Sequence, residues 1–172
     1  ADLKFNTPSG KIELFSQQMA DQGLDPIPTY RPAFDPAGLS EGDSNEGGPF
    51  PSDMALSLVS GAGQHFISST FGNLDKHASL SGTPFVEINL LDAEKRGIVD
   101  GETVILKNGR GELPLRAVVT DGVREGVVVS PKGYWANKNN GRNINWLISD
   151  ALADLGNQAT FHSCRVWLEK ES

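Results

Sequence analysis

The chain has 172 residues, a formal net charge of -7, and 38% hydrophobic residues that include 8 Phe and 3 Trp. That is enough apolar material for one domain, or one domain plus an arm, and it excludes disorder of the whole chain. The acidic balance argues against nucleic acid as a partner, and the single cysteine, Cys164, excludes an intrachain disulfide and any CxxC-type metal or iron–sulfur cage.

In chain order, Thr7-Pro8-Ser9-Gly10 is a turn signal and Lys11–Phe15 alternates like a short strand. Ser16 is an N-cap for a short helix over Gln17–Gln22, with Gly23 placed to end it. Asp25–Pro36 carries four prolines, and Ala37–Pro51 is rich in Gly, Ser and acids. Both read as extended linker, which puts the boundary of the compact domain near Pro51. The expected organisation is therefore an N-terminal arm over 1–50 and a β-domain over 51–172.

From there strand signals are dense. Met54–Ser60 and Thr83–Asn89 are apolar strands, and Asp92–Arg96 is a short helix stopped by Gly97. Thr103–Lys107 follows, then Asn108-Gly109 as a hairpin signal. Leu113–Thr120 returns as a strand, and Pro114 suggests an edge there. Val127–Val129 is a buried strand, and Asn143–Leu155 has room for a short helix ending at Gly156. A last strand is expected over Phe161–Leu168, with Cys164 as a small buried residue. Many short strands with glycine turns and little helix predict a closed or nearly closed β-barrel. No internal repeat is evident. No apolar run approaches the length of a membrane span, so membrane insertion is not expected.

The segment with the most chemistry is Gly61–Asn73, which follows the first barrel strand. It combines glycines, hydroxyls, an amide and an imidazole. Exposed backbone N–H groups and hydroxyls suit phosphate oxygens, and amides and imidazole suit the polar edge of a heterocycle. An ordinary solvated turn would use many of the same residues.

The order of the motifs carries more than any one of them. Thr-Pro-Ser-Gly-Lys-Ile-Glu-Leu-Phe-Ser at 7–16 precedes Pro-Ile-Pro-Thr-Tyr at 26–30. Ser60-Gly61 and the His/Ser/Thr loop end in Phe71-Gly72-Asn73. Pro84–Asn89, Asp92-Ala93, Gly97–Gly101, Arg116–Thr120 and Gly126-Val127-Val128 follow, with Asn143 and Asn145 late. Over almost its whole length the chain resembles the C-terminal molybdopterin dinucleotide-binding domain of the dimethyl sulfoxide reductase family of Mo/W oxidoreductases. The resemblance implies a six-stranded double-psi β-barrel and binding of molybdopterin guanine dinucleotide, with Mo or W held through the pterin. It implies that Gly61, Gln64, His65, Ser68, Ser69 and Thr70 approach the pterin and pyrophosphate. Asn89 and Asp92 match the family's positions near the guanosine, Asn143 or Asn145 its late asparagine at a pterin edge, and His162 its basic residue early in the final strand. The implied partners are upstream catalytic domains of the same polypeptide and electron-transfer subunits.

Each residue also has a plain structural reading. Asp92 suits a helix N-terminus, His65 a solvated turn, and Asn143, Asn145 and Ser68–Thr70 suit caps. Trp135 reads first as a core anchor, otherwise as a lid; Lys132 reads first as solvated, otherwise as a phosphate partner. Leu90 stands where the family usually has proline. Nothing in the chain resembles the family's iron–sulfur or metal-ligand segments, so a fragment without redox turnover of its own is expected. The competing readings are a free-standing barrel subunit, as in formylmethanofuran dehydrogenase, and a protein-binding adaptor barrel. A Ser/His/Asp hydrolase is disfavoured, because no Gly-x-Ser-x-Gly elbow is present.

Overall fold

The computed structural model describes residues 3–27, 29, 54–153 and 158–171. The chain divides into two compact units, residues 1–32 with 152–158, and residues 33–151 with 159–172. The boundary expected near Pro51 and the helix stop expected at Gly156 lie outside the described residues.

In the smaller unit the Thr7–Gly10 turn closes through Gly10 N–H donating to Thr7 O at 3.0 Å. Helix α1 spans Gln17–Asp21, and the Ser16 hydroxyl accepts from Met19 N–H at 3.3 Å, satisfying a donor the helix leaves open. The strand expected over Lys11–Phe15 does not form. Ile12 and Leu14 are both exposed, so the alternation has no sheet face to bury.

The larger unit is a closed barrel with strand order β1-β5-β2-β4-β3-β6. Its strands are β1 Leu56–Val59, β2 Phe85–Asn89, β3 Thr103–Asn108, β4 Gly111–Thr120, β5 Val127–Val129 and β6 Arg165–Lys170. β1 pairs parallel with β5, and β2 parallel with β4; the other four pairings are antiparallel. The link from β1 to β2 crosses the end of β5, and the link from β4 to β5 crosses the end of β2. Exchanging β1, β2 and β3 with β4, β5 and β6 reproduces every neighbour and every direction. These two interlocked crossovers make the barrel a double-psi barrel. The two-fold relation lives in the topology, since the sequence halves show no repeat.

Alternation fills the interior. Leu56, Leu58, Val86, Ile88, Val104 and Leu106 point inward from the first three strands, and Leu115, Ala117, Val128, Val166 and Leu168 from the rest. Cys164 is buried with them, just before β6. Pro114 lies opposite Ile105 in the part of β4 that has no β2 partner, so it is locally at an edge although the barrel is closed.

Three expectations shift in detail, and one helix was not foreseen. Asn108 pairs with Gly111, which makes Gly109-Arg110 the turn and sends the Asn108 side chain inward to donate to Leu147 O at 2.8 Å. The last strand begins at Arg165, because Ser163 N–H donates to Thr160 O and closes a 3-10 turn over Phe161–Ser163. The late short helix is a 3-10 turn over Ile144–Leu147. Helix α2, Asp75–Ser81, was not legible: it has no side-chain cap and no buried residue, so neither capping nor periodicity marks it. Helix α3 spans Leu90–Arg96 and ends at Gly97, as expected. No helix among the described residues is long and apolar enough to cross a membrane.

Candidate functional site

The parallel pairing of β1 and β5 decides where the site lies. Parallel neighbours end side by side, so the segments after β1 and after β5 leave the barrel together. Their pairing continues past the strands: Ser130 N–H donates to Val59 O at 3.1 Å and Lys132 N–H to Gly61 O at 2.9 Å. β2 and β4 run opposite to β5, so their first residues arrive at the same end. There the two segments and the start of β4 enclose a cleft of about 560 Å³.

The polar lining of the cleft is Ser68, Ser69, Lys132, Arg142, Asn143 and Asn145, with Ser130 and Asn137. Pro84, Leu113, Leu115, Tyr134 and Trp135 give it an apolar floor and aromatic walls. Arg142 donates to the Glu112 carbonyl at 3.2 Å and its carboxylate at 3.3 Å, which holds the guanidinium at the rim. Lys132 Nζ lies 5.4 Å from the centre of the Phe161 ring. Asn143 Oδ1 accepts from Asn145 N–H at 3.0 Å, capping the 3-10 turn that carries both amides. Tyr134 donates to Ser81 O at 2.9 Å and meets Phe66 edge-on. Burial raises its phenol pKa, partly offset by the nearby Arg116 charge, so the proton that makes this bond is retained.

The loop after β1 is held in a costly shape. Ser68 (φ 53°) and Phe71 (φ 75°) are both left-handed non-glycine residues, each costing on the order of 1 kcal/mol or more. Three contacts hold it. Ile67 and Thr70 exchange backbone hydrogen bonds, His77 Nδ1 lies 3.0 Å from His65 O, and Trp135 Nε1 donates to Ser69 O at 2.7 Å. Two glycines permit this approach. A Cβ on Gly72 would lie 2.5 Å from Trp135 Cδ1, and one on Gly133 (φ 110°) 2.5 Å from Ser68 O.

Of the residues singled out in the sequence, Ser68, Ser69, Asn143 and Asn145 line the cleft together. Gly61, Gln64, His65 and Thr70 belong to the same loop but are not among its lining residues; Gln64 and Thr70 face solvent. His162 sits in the 3-10 turn before β6 instead of inside the strand; it is exposed, with its ring 4.1 Å from that of Phe161.

Asn89 and Asp92 do not line the cleft. β2 runs antiparallel to β5, so the end of β2 and helix α3, which follows it directly, lie at the opposite end of the barrel from the cleft. Asn89 caps α3 through Leu91 N–H at 2.9 Å and donates to Val123 O at 2.8 Å. Asp92 is buried; it accepts from Gly126 N–H at 2.6 Å and pairs with buried Arg96 at 3.4 Å. Arg96 in turn donates to Met54 O at 2.9 Å. The group fastens α3 to the entrances of β1 and β5.

Sequence reasoning underrated Lys132 and Trp135 and missed Tyr134 and Arg142. Trp135 is half-buried in the cleft wall, outside the barrel core. The available signal was the polar run Asn137–Asn145, read together with the parallel placement of β5 beside β1.

The donor set suits a molybdopterin dinucleotide. Two cations and two hydroxyls match phosphate oxygens, three amides match a pterin edge, and the apolar floor takes a flat ring. Among the described residues no group of three or more His, Cys, Asp or Glu could hold a metal ion directly.

Comparison with known proteins agrees with the geometry. The family model described as "Molydopterin dinucleotide binding domain" matches residues 56–165. The chain is 44% identical over 165 residues to a probable oxidoreductase, YoaE, of Bacillus subtilis, covering 95% of this chain and 22% of that protein. It is 34% identical over 179 residues to the dimethyl sulfoxide reductase DmsA of Escherichia coli, covering 95% of this chain and 21% of that one. The chain thus spans about a fifth of the length of these curated relatives. Acetylene hydratase from Pelobacter acetylenicus shares the fold, with a TM-score of 0.78 at 20% identity over 98% of this chain and 24% of that one. With its double-psi barrel, its cleft between the post-β1 and post-β5 segments and a family match that contains most of both, the chain belongs to the molybdopterin dinucleotide-binding domains of the dimethyl sulfoxide reductase family.

Proposed function

We infer that this chain holds the guanine form of the cofactor, molybdopterin guanine dinucleotide, against the end of the barrel where β1 and β5 finish. The observation that carries this reading is the single cleft that gathers Lys132, Arg142, Ser68, Ser69, Asn143 and Asn145 over an apolar floor. The Lys132 ammonium and Arg142 guanidinium neutralise phosphate charge that the chain's net charge of -7 would otherwise repel. The hydroxyls of Ser68 and Ser69 donate to phosphate oxygens, and the amides of Asn143 and Asn145 read the polar edge of a heterocycle. Tyr134 and Trp135 exclude water from that side.

When bound, the cofactor supplies redox chemistry at a molybdenum or tungsten centre, and the protein supplies orientation and a fixed electrostatic surround. Catalytic turnover then belongs to a longer polypeptide that completes the site, with electron-transfer subunits as its partners. This domain turns over no substrate alone.

The test is a calorimetric titration of the chain with GDP, which represents the guanosine diphosphate half of the cofactor. Lys132→Ala is expected to weaken binding by about five- to tenfold and to flatten its salt dependence, as loss of one phosphate contact does. Equal affinity for the wild type and the variant, or equal affinity for GDP and CDP, would contradict the reading.

A further inference from the structure

We propose that Trp135 is a positioning residue: its indole N–H latches the Ser68–Ser69 segment in the strained conformation that presents both hydroxyls to the cleft. The proposal rests on the reading of that cleft as the cofactor site. Three independent observations support it.

First, strain is concentrated where the latch acts. Ser68 and Phe71 flank the latched Ser69 carbonyl, and both hold positive φ, a state that persists only when the surroundings over-determine it. Second, the contact is built from both sides. Gly72 and Gly133 leave room for the indole and for Ser68 O, and a Cβ on either would fall within 2.5 Å of those atoms. Third, the latch is separate from the barrel core. Trp135 lies outside the buried cluster that fills the barrel, so the bond shapes the loop without holding the strands together. The same side chain forms a wall of the cleft. One residue therefore both borders the ligand space and fixes two of its donors.

The experiment combines a property of the wild-type chain with one variant. In the wild type, the Trp135 indole N–H is expected to exchange with solvent more slowly than that of Trp146, which is 49% exposed. Trp135→Phe keeps an aromatic ring and removes the donor. It is expected to speed amide exchange across Ile67–Gly72 and to weaken GDP binding about fivefold, the effect of one lost hydrogen bond, with an unchanged thermal midpoint. Equal exchange at the two indoles would overturn the latch. Faster loop exchange with unchanged GDP affinity would overturn the positioning role. A protected Trp135 indole in a wild-type chain that takes up no GDP would show instead that the cofactor reading of the cleft has failed, and the positioning role with it.

Discussion

Gly72→Ala is expected to weaken GDP binding sharply while leaving the barrel folded. The added Cβ would sit 2.5 Å from Trp135 Cδ1 and 2.6 Å from its Nε1, and 3.2 Å from Gly133 O. No rotamer of the alanine escapes this, so either the indole or the whole 68–72 segment must move. Overpacking of this kind costs about 1–3 kcal/mol. Because the clash falls on the loops that frame the cleft, the damage appears as misplaced Ser68 and Ser69 hydroxyls. The loss of affinity is expected to reach at least about tenfold, or roughly 1.4 kcal/mol. Pairing Gly72→Ala with Trp135→Phe should not add the two losses, since both act through one contact. Additive losses would mean that Gly72 and Trp135 work separately.

Asp92→Ala is expected to do the reverse: a large loss of stability with no change in ligand affinity. Asp92 and Arg96 are both about 5% exposed at the side chain, so removing the carboxylate strands a buried guanidinium and frees Gly126 N–H. Breaking a buried pair in this way costs about 3–5 kcal/mol, a large share of the stability of a domain of this size. Denaturant unfolding measures the loss. GDP affinity, measured at low temperature where the variant is folded, should stay within about twofold of wild type, because the pair and the cleft lie at opposite ends of the barrel and act independently. A specific loss of GDP affinity with normal stability would return Asp92 to the ligand site.

The contrast between these two residues shows what the sequence could and could not reveal. The inward alternation of the strands, the β-barrel and the family are legible, because period-two burial and motif order survive in one dimension. The placement of Asp92 is not. A buried carboxylate that braces a helix and one that reads a guanine are the same letter at the same spacing. Only the direction of β2 relative to β5 separates them. Ser68 and Ser69 could be found from loop composition, but the reason they are held in place lies 66 residues on, in Trp135. Lys132 and Arg142 join the site for the same reason: parallel pairing of strands far apart in sequence brings two loops together. Helix α2 and the absent strand at Lys11–Phe15 fail for a local reason, since neither segment buries a face that periodicity could report.

The dinucleotide is proposed to occupy one cleft, between the segments after β1 and after β5. An amide-resolved NMR titration of the chain with GDP tests it most directly. Shifts are expected to concentrate in 61–73 and 130–145, with Asn89 and Asp92 silent. Shifts centred on Asn89, Asp92 and Gly126, or none at millimolar GDP, would contradict it.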